Sequence, residues 1–438
     1  MEERGLRTLK RSGVLALVGA GLVSEAVYLA AAWRLSWWEY GSRLQSWSQL
    51  LGRGMGVFTL LLAACGVLMA AYLVGWRSLR QTEAHRRIVW SFVLLYALTL
   101  FWLLPITADL FNYLTQAHQV TDVGANPLVD APVEAASDPL VQAYATNYAL
   151  DPSVYGPAWT IVSAPATLGR YDVAGGLVYL KALATLAFLG SGWLLERMLH
   201  QLRPADALRG LYLFAWNPLI VLTAVGGGHN DIVMMATLLL ATYLLLRERW
   251  VWAFALLAAS VWIKYMSAVL VPIFALYAWR QLRSRQRDEL WPTALRAGGA
   301  MVLVSAAAFV PFWSPEALSG LVQRLFNPGN LAPGSSGLAG PALVLGLLLY
   351  AAVYVALFWR LARSDGSFQA MLRAGFAALL LAFLFGAARA QPWHLIWPAA
   401  LAGLSDRRWA WPLVAGLSAV MLVVQVWVEW GTPGLDSM

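Results

Sequence analysis

The chain predicts an all-α, polytopic membrane helix bundle of about 11 to 13 spans, and three observations predict it. Hydrophobic residues fill 60% of 438 positions and charged residues only 12%, and the mean hydropathy is +0.61. A water-soluble domain has no interior large enough to hide that much apolar surface, whereas a bilayer solvates it. The apolar residues also fall in runs near spanning length, separated by short arginine-bearing loops. Finally, 23 Trp and 16 Tyr suit the amphipathic belts at a membrane–water interface. The net charge of +8 comes from 28 Arg and 3 Lys, and it reads as basic loops rather than nucleic-acid binding. The single Cys65 lies in an apolar run, so a disulfide framework is excluded.

The N-terminal MEERGLRTLKR is basic and precedes an apolar run over 12–33. That run exceeds an ordinary signal-peptide core and predicts a retained anchor, with cleavage near Ala30–Ala32 the alternative. Twelve further apolar segments follow, at 55–75, 88–106, 172–195, 210–226, 231–246, 250–263, 265–279, 294–312, 341–361, 370–388, 392–404 and 409–429. If each crosses once, the arginine clusters all fall on one side, among them Arg77, Arg80, Arg86 and Arg87, Arg203 and Arg209, Arg280 to Arg287, and Arg407 and Arg408. The positive-inside rule makes that side cytoplasmic, with the N-terminus. Ala158–Leu168 is apolar but short and reads as a re-entrant or partly buried helix.

On this topology one membrane domain spans 1–438, with a first outer loop over 107–158 and a second over 313–340. Ala108–His118 and Pro139–Leu150 are predicted as short helices lying on the membrane, and Asn126-Pro127 and Gly156-Pro157 as turns. The unusual polar residues at span ends collect on the outer face. They are Asp109, the GGGHND stretch over Gly226–Asp231, Lys264, and ARAQPWH over Ala388–His394. A carboxylate at the mouth of a membrane bundle is costly to hold there, which makes Asp109 a functional candidate.

The order of these pieces carries a resemblance. Asp109 with Phe111 and Tyr113, Asn126-Pro127, Tyr155-Gly156-Pro157, Trp216-Asn217-Pro218, Gly227–Asp231, Lys264, and Gln391-Pro392-Trp393 with Trp397 span roughly residues 90–400. The set resembles the GT-C glycosyltransferases, and most of all the bacterial polyprenyl-phosphate-mannose-dependent α-mannosyltransferases. Two places depart from that pattern, Phe111-Asn112-Tyr113 and His394. The resemblance implies transfer of a hexose, mannose first, from a polyprenyl-phosphate-linked donor to a lipid-linked or glycan acceptor on the outer face. It implies inversion by direct displacement, with no nucleotide sugar at the site, no cofactor and no metal. Membrane lipids are the other expected partners, and nucleic acid is not one.

The chemistry then distributes over residues. An alcohol is a poor nucleophile until its proton is being removed, so a base is needed, and Asp109 is the candidate; the bland reading is a helix-end cap. Charge develops on the leaving phosphate and calls for cations or N–H donors. Lys264, Arg389, His394 and His229 are the candidates, with Arg324 a weaker one. For Lys264 the alternative is interfacial snorkelling, and for His394 a hydrogen-bonded interfacial histidine. Asn230 and Asp231 either cap a helix or line the site beside His229. Tyr113, Tyr155, Gln391, Trp393 and Trp397 are candidate substrate-lining residues, against an aromatic belt as the alternative. Asp122 and Glu134 are candidates for acceptor contact, while Asp130 and Asp138 read as solvated loop charges. Glu25, inside the first span, has no named partner. No HxxE or CxxC spacing supports a zinc site. Two rivals use similar architecture, an O-antigen-type ligase or polymerase and a lipid-linked sugar transporter or flippase. The first carries its large outer loop late in the chain; the second has interrupted helices in two similar halves.

Overall fold

The structure, a computed structural model, describes residues 2–40, 46–135, 137–138, 141, 150–168, 173–285, 287–326, 339–385 and 391–430. The first helices are α1 (Glu2–Arg34), α2 (Met55–Ser78), α3 (Glu83–Phe101), α4 (Asp109–His118), α5 (Pro157–Ser163) and α6 (Val173–Leu202). Next come α7 (Ala207–Ala215), α8 (Pro218–Val221), α9 (Asn230–Leu246), α10 (Trp250–Ile263), α11 (Val271–Arg285) and α12 (Leu290–Phe309). The chain continues through α13 (Pro315–Phe326), α14 (Ala339–Ala362), α15 (Phe368–Phe385), α16 (Ile396–Leu404) and α17 (Ala410–Trp430). Among the described residues the one β feature is an isolated bridge between Ser36 and Leu103.

The architecture is therefore all-α, as the composition predicts. Among the described residues seven helices are long and apolar enough to cross a membrane. An eighth span forms if α7 and the bent α8 segment, which meet at 54°, count as one. Two more apolar helices, α9 and α10, are shorter. Residues 392–404 form a 3-10 turn and the nine-residue α16, not one straight span. Residues 265–270 likewise wind as a 3-10 turn before α11.

The chain divides into two compact units. The first comprises Met1–Leu110, Leu177–Ile232 and Gln391–Met438. Within it α1 packs on α2 and α3, α2 on α17, and α7 on α16. The last pair meets backbone to backbone: a Cβ on Gly210 would sit 2.7 Å from the Gly403 carbonyl oxygen. Small residues at such a crossing let dispersion contacts replace the hydrophobic drive that lipid does not supply. Local signals fix the ends. Thr82 caps α3 by accepting from the His85 N–H, with Glu83 in the first turn facing the positive end of the helix dipole. Asn217 caps α8, where Pro218 needs no N–H. The Asn217 Nδ2 also donates to Ser418 Oγ of α17 at 2.7 Å, so the Trp216-Asn217-Pro218 motif serves a helix break. Glu25 has a partner after all, accepting from Thr99 Oγ1 at 2.5 Å.

The second unit comprises Phe111–Gly176 and Val233–Ala390. Here α10 packs on α12 and α5, α11 on α15, and α14 on α15. The predicted outer-loop helix over 108–118 exists as α4, but every one of its residues is buried. Its apolar side chains Leu110, Phe111, Leu114 and Ala117 share one face, but the polar ones opposite (Asn112, Thr115, Gln116, His118) are buried as well, so it is a core helix instead of one lying on a membrane surface. Most of the predicted helix over 139–150 lies outside the described residues. Within Ala158–Leu168 the chain forms most of the short α5 and a 3-10 turn after it.

Candidate functional site

In the first unit the segment entering Asp109 is held on several sides. Leu104 N donates to the Leu35 carbonyl at 2.7 Å, and the indoles of Trp37 and Trp47 donate to the carbonyls of Phe101 and Leu104 at 2.6 and 2.9 Å. Asp109 opens α4 with 7% of its surface exposed. A carboxylate in the first turn meets the unpaired N–H groups and the positive end of the helix dipole.

The other half comes from GGGHND. After Pro218–Val221 the chain widens to a π-turn over Leu222–Gly226 and then reverses at Gly228, whose φ is +66°. Only glycine suits that position. Besides the left-handed backbone, a Cβ there would lie 2.9 Å from Leu110 Cδ1. The turn delivers His229, which is 2% exposed, with Nδ1 at 3.1 Å from Asp109 Oδ2. Thr107 Oγ1 lies between them, 3.5 Å from Asp109 Oδ2 and 3.3 Å from His229 Nε2. The imidazole lies flat on the Trp393 indole, centroids 4.1 Å apart and planes 14° apart.

QPWH supplies the third wall. Gln391 and His394 form a reciprocal capping box, in which the Gln391 N–H donates to His394 Nδ1 at 3.2 Å. With Nδ1 accepting, a neutral His394 carries its proton on Nε2 and offers an N–H there. Its ring stacks on Trp397 at 4.2 Å. Trp397 Nε1 in turn donates to Asp231 Oδ1 at 2.5 Å. Asn230 and Asp231 begin α9, and both are fully buried. Asp109, His229, Trp393, Gln391, His394, Trp397, Asn230 and Asp231 thus lie within one compact unit, drawn from three distant stretches of sequence.

Lys181 was not singled out in the sequence, and it matters here. Its ammonium is fully buried in α6, and its three N–H groups are shared among four carbonyls: Leu100 at 3.1 Å, Leu103 at 2.8 Å, Val225 at 3.0 Å and Gly226 at 2.6 Å. The signal was present. A lysine inside an otherwise apolar span is a functional candidate by its cost alone.

The remaining candidates fall in the second unit. Tyr113 is 1% exposed and packs edge-on to Tyr155 at 5.0 Å and Trp159 at 4.8 Å, a dense aromatic cluster. Lys264 sits at the extended residue between α10 and the 3-10 turn, its Nζ 5.9 Å above the Tyr155 ring. The Tyr-Gly-Pro segment is tight: a Cβ on Gly156 would fall 1.9 Å from the Trp262 carbonyl oxygen. Asn126 N donates to Asp130 Oδ2 at 2.6 Å and Asn126 Nδ2 to the Phe312 carbonyl at 2.9 Å, so Asn126-Pro127 is a turn as predicted. Beside it Asp122, Asp130, Glu134 and Asp138 line a cavity of about 500 Å³. Asp122 and Asp138 also clamp the buried His118, at 3.1 and 2.9 Å. Two of the four loop acids therefore contact a buried imidazole and are not merely solvated. Arg389 lies outside the described residues, as does the Arg324 side chain. Among the described residues no group of three or more His, Cys, Asp or Glu is placed to hold a metal ion.

A family model described as alpha-(1->6)-mannopyranosyltransferase, N-terminal domain, matches residues 17–280. Among curated proteins, alpha-(1->6)-mannopyranosyltransferase A of Mycobacterium tuberculosis is 27% identical over 436 residues, covering 93% of this chain and 81% of the relative. Alpha-(1->6)-mannopyranosyltransferase B of Corynebacterium glutamicum is 28% identical over 156 residues, 33% of this chain and 26% of the relative. The A protein of the same organism is 26% identical over 166 residues, 37% of this chain and 33% of the relative. No solved structure matches the chain.

Proposed function

This chain belongs to the alpha-(1->6)-mannopyranosyltransferase family, and from that premise we propose that it moves mannose from a polyprenyl-phosphate-linked donor to a lipid-linked or glycan acceptor. The observation that carries the reading is the buried Asp109–His229 pair at 3.1 Å, backed by Trp393. In the proposed step the acceptor oxygen attacks the anomeric carbon while the bond to the phosphate oxygen breaks. The acceptor proton passes to the Asp109 carboxylate, and polyprenyl phosphate leaves as the anion. Direct displacement inverts the anomeric centre, so a β-linked donor yields an α-linkage.

Each residue then has a task. Asp109 is the base, worth about 10² to 10⁴ in rate. His229 orients its carboxylate, and Thr107 holds both groups from the side. Trp393 fixes the imidazole plane, and a capped 3-10 turn keeps the indole from rotating away. His394 offers Nε2–H to an anionic oxygen, the kind of donor a developing phosphate charge needs. Lys264 and Arg389 are proposed as further donors to phosphate; Lys264→Ala and Arg389→Ala are expected to weaken donor binding. Unchanged donor affinity in both variants would remove them from that role. The basic loops support an orientation with the N-terminus in the cytoplasm and the Asp109 loop outside, where a lipid-carried sugar would present its phosphate at headgroup depth.

The deciding experiment uses purified protein in detergent with radiolabelled polyprenyl-phosphate-mannose, -glucose and -arabinose, each against lipid-linked and oligosaccharide acceptors. Mannosyl transfer to at least one acceptor is expected. Transfer from a nucleotide sugar in place of the lipid-linked donors would overturn the reading.

A further inference from the structure

We infer that the arginine-lined pocket of the first unit is a binding site for the phosphate headgroup of an anionic phospholipid. The pocket is about 660 Å³ in volume and lies between the C-terminal end of α6, the start of α7 and the loop from α16 to α17. Arg203, Arg209, Arg407 and Arg408 line it with Asp206 and Asp406, four guanidinium groups against two carboxylates. One cation is already held in place: Arg203 donates to Asp206 at 3.2 Å and to the Gly403 carbonyl at 3.2 Å, and its buried Nε has no partner among the described residues. Arg209 is only loosely engaged, 3.9 Å from Asp206. Guanidinium forks match phosphate geometry bidentately. The apolar wall is Trp76 stacked on Trp411 at 4.3 Å, amphipathic rings of the sort that sit at headgroup depth. A half-open basic pocket at helix ends, with an indole wall, takes a phosphate that arrives on acyl chains. The α16 helix links it to the reacting end of this unit, running from beside Trp397 to Gly403.

The test compares wild type with Arg209→Gln/Arg408→Gln, an exposed pair whose loss leaves the Arg203 bonds intact. Each is reconstituted in nanodiscs of phosphatidylcholine with phosphatidylglycerol, and co-retained lipid is read by native mass spectrometry. Arg363→Gln, on another loop where that guanidinium stacks on Trp359, is the control. Wild type and control are expected to retain phosphatidylglycerol over phosphatidylcholine, and the double variant to lose about tenfold of that preference (about 1.4 kcal/mol). Equal retention in all three proteins would overturn the proposal. So would displacement of the lipid by millimolar inorganic phosphate, which would mark a site for a soluble anion.

The geometry separately assigns Lys181 as a positioning residue for Asp109 and His229, an inference that rests on the proposed function. Its four acceptors end two helical segments. Leu100 and Leu103 close α3, and Val225 and Gly226 close the π-turn after α8. Helix C-termini carry partial negative charge and unpaired carbonyls, and here two of them converge on one ammonium. One chain runs on six residues from Leu103 to Asp109, the other three residues from Gly226 to His229. The lysine stem also abuts the turn: a Cβ on Gly228 would lie 3.6 Å from Lys181 Cδ. Without the cation, two negative helix ends face each other and the pair they lead into loses its registry.

Lys181→Met keeps the stem and removes the charge; Lys181→Gln keeps two N–H donors. In the folded Met variant kcat is expected to fall about 10- to 100-fold at unchanged donor KM. Its pH–rate profile is expected to shift, because the Asp109–His229 pair that its four carbonyls lead into loses its registry. The Gln variant is expected to recover part of kcat. A folded Met variant with wild-type kcat and pH profile would overturn the assignment, and so would failure of both variants to fold, which would confine the lysine to folding. Asp109→Asn run alongside separates the two readings. If it retains transfer, the proposed base is wrong; if it loses transfer while Lys181→Met does not, only the Lys181 inference falls.

Discussion

Single side chains decide the chemistry. Asp109 is buried, opens a helix and sits 3.1 Å from His229. Asp109→Asn keeps the size and removes the proton acceptor, so transfer should drop at least about 10²-fold while donor binding persists; purified enzyme with near-normal turnover would defeat the base assignment. A second residue-scale prediction concerns Trp397, whose indole donates to the fully buried Asp231. Trp397→Phe keeps a ring for His394 to stack on but leaves a buried acceptor without this donor, which costs about 1–3 kcal/mol. The unfolding midpoint in detergent should fall, and an unchanged midpoint would show that the bond contributes nothing. The sequence points to Asp109, His229, Trp393 and Trp397 because each is a polar or aromatic residue at a span end. It does not say that His229 would face Asp109 where a phosphate was expected, since that depends on the left-handed turn at Gly228.

At the scale of elements, hydropathy locates the long straight helices and fails at the broken ones. The helices α1, α2, α6 and α17 are long and apolar enough to cross a membrane and satisfy most of their backbone groups internally, even where they carry a buried Glu25 or Lys181. The bent α7–α8 pair, the π-turn over Leu222–Gly226 and the 3-10 turn over Pro392–Leu395 leave backbone groups that other segments must satisfy. Lys181 does so for the π-turn, an arrangement no local pattern encodes. Glycines at close approaches offer a test. Gly156→Ala would drive a Cβ to 1.9 Å from a backbone oxygen, whereas Gly298 has nothing within 4 Å. The first substitution should abolish folded protein in fluorescence size-exclusion chromatography, and Gly298→Ala should leave the peak unchanged. A normal peak for Gly156→Ala would show that the backbone at Tyr155–Pro157 relaxes freely.

For the molecule as a whole, composition suffices for the class and the basic loops for the proposed orientation. Replacing Cys65 with Ala leaves a background for single reporter cysteines. Val154 lies exposed in the segment proposed as the first outer loop, and Ser364 follows Arg360 and Arg363 on a basic one. A membrane-impermeant thiol reagent should label Val154→Cys in intact cells and Ser364→Cys only after permeabilisation. The reverse pattern would invert the topology and with it the side on which transfer is proposed.

The sequence by itself determined the all-α membrane class, the turn at Asn126-Pro127, and the segments from which a site would be drawn, whereas Gly156-Pro157, read as a turn, instead caps and opens α5. Hydropathy, proline and glycine act locally, and a bilayer imposes its own period on whatever enters it. Only the tertiary structure decided that Asp109, His229 and Trp393 touch, that α4 is buried, and that Lys181 ties two helix ends together. Those facts depend on where distant carbonyls and rings converge. A buried polar group accepts any partner of the right chemistry, so nothing in the residue names says which one it meets.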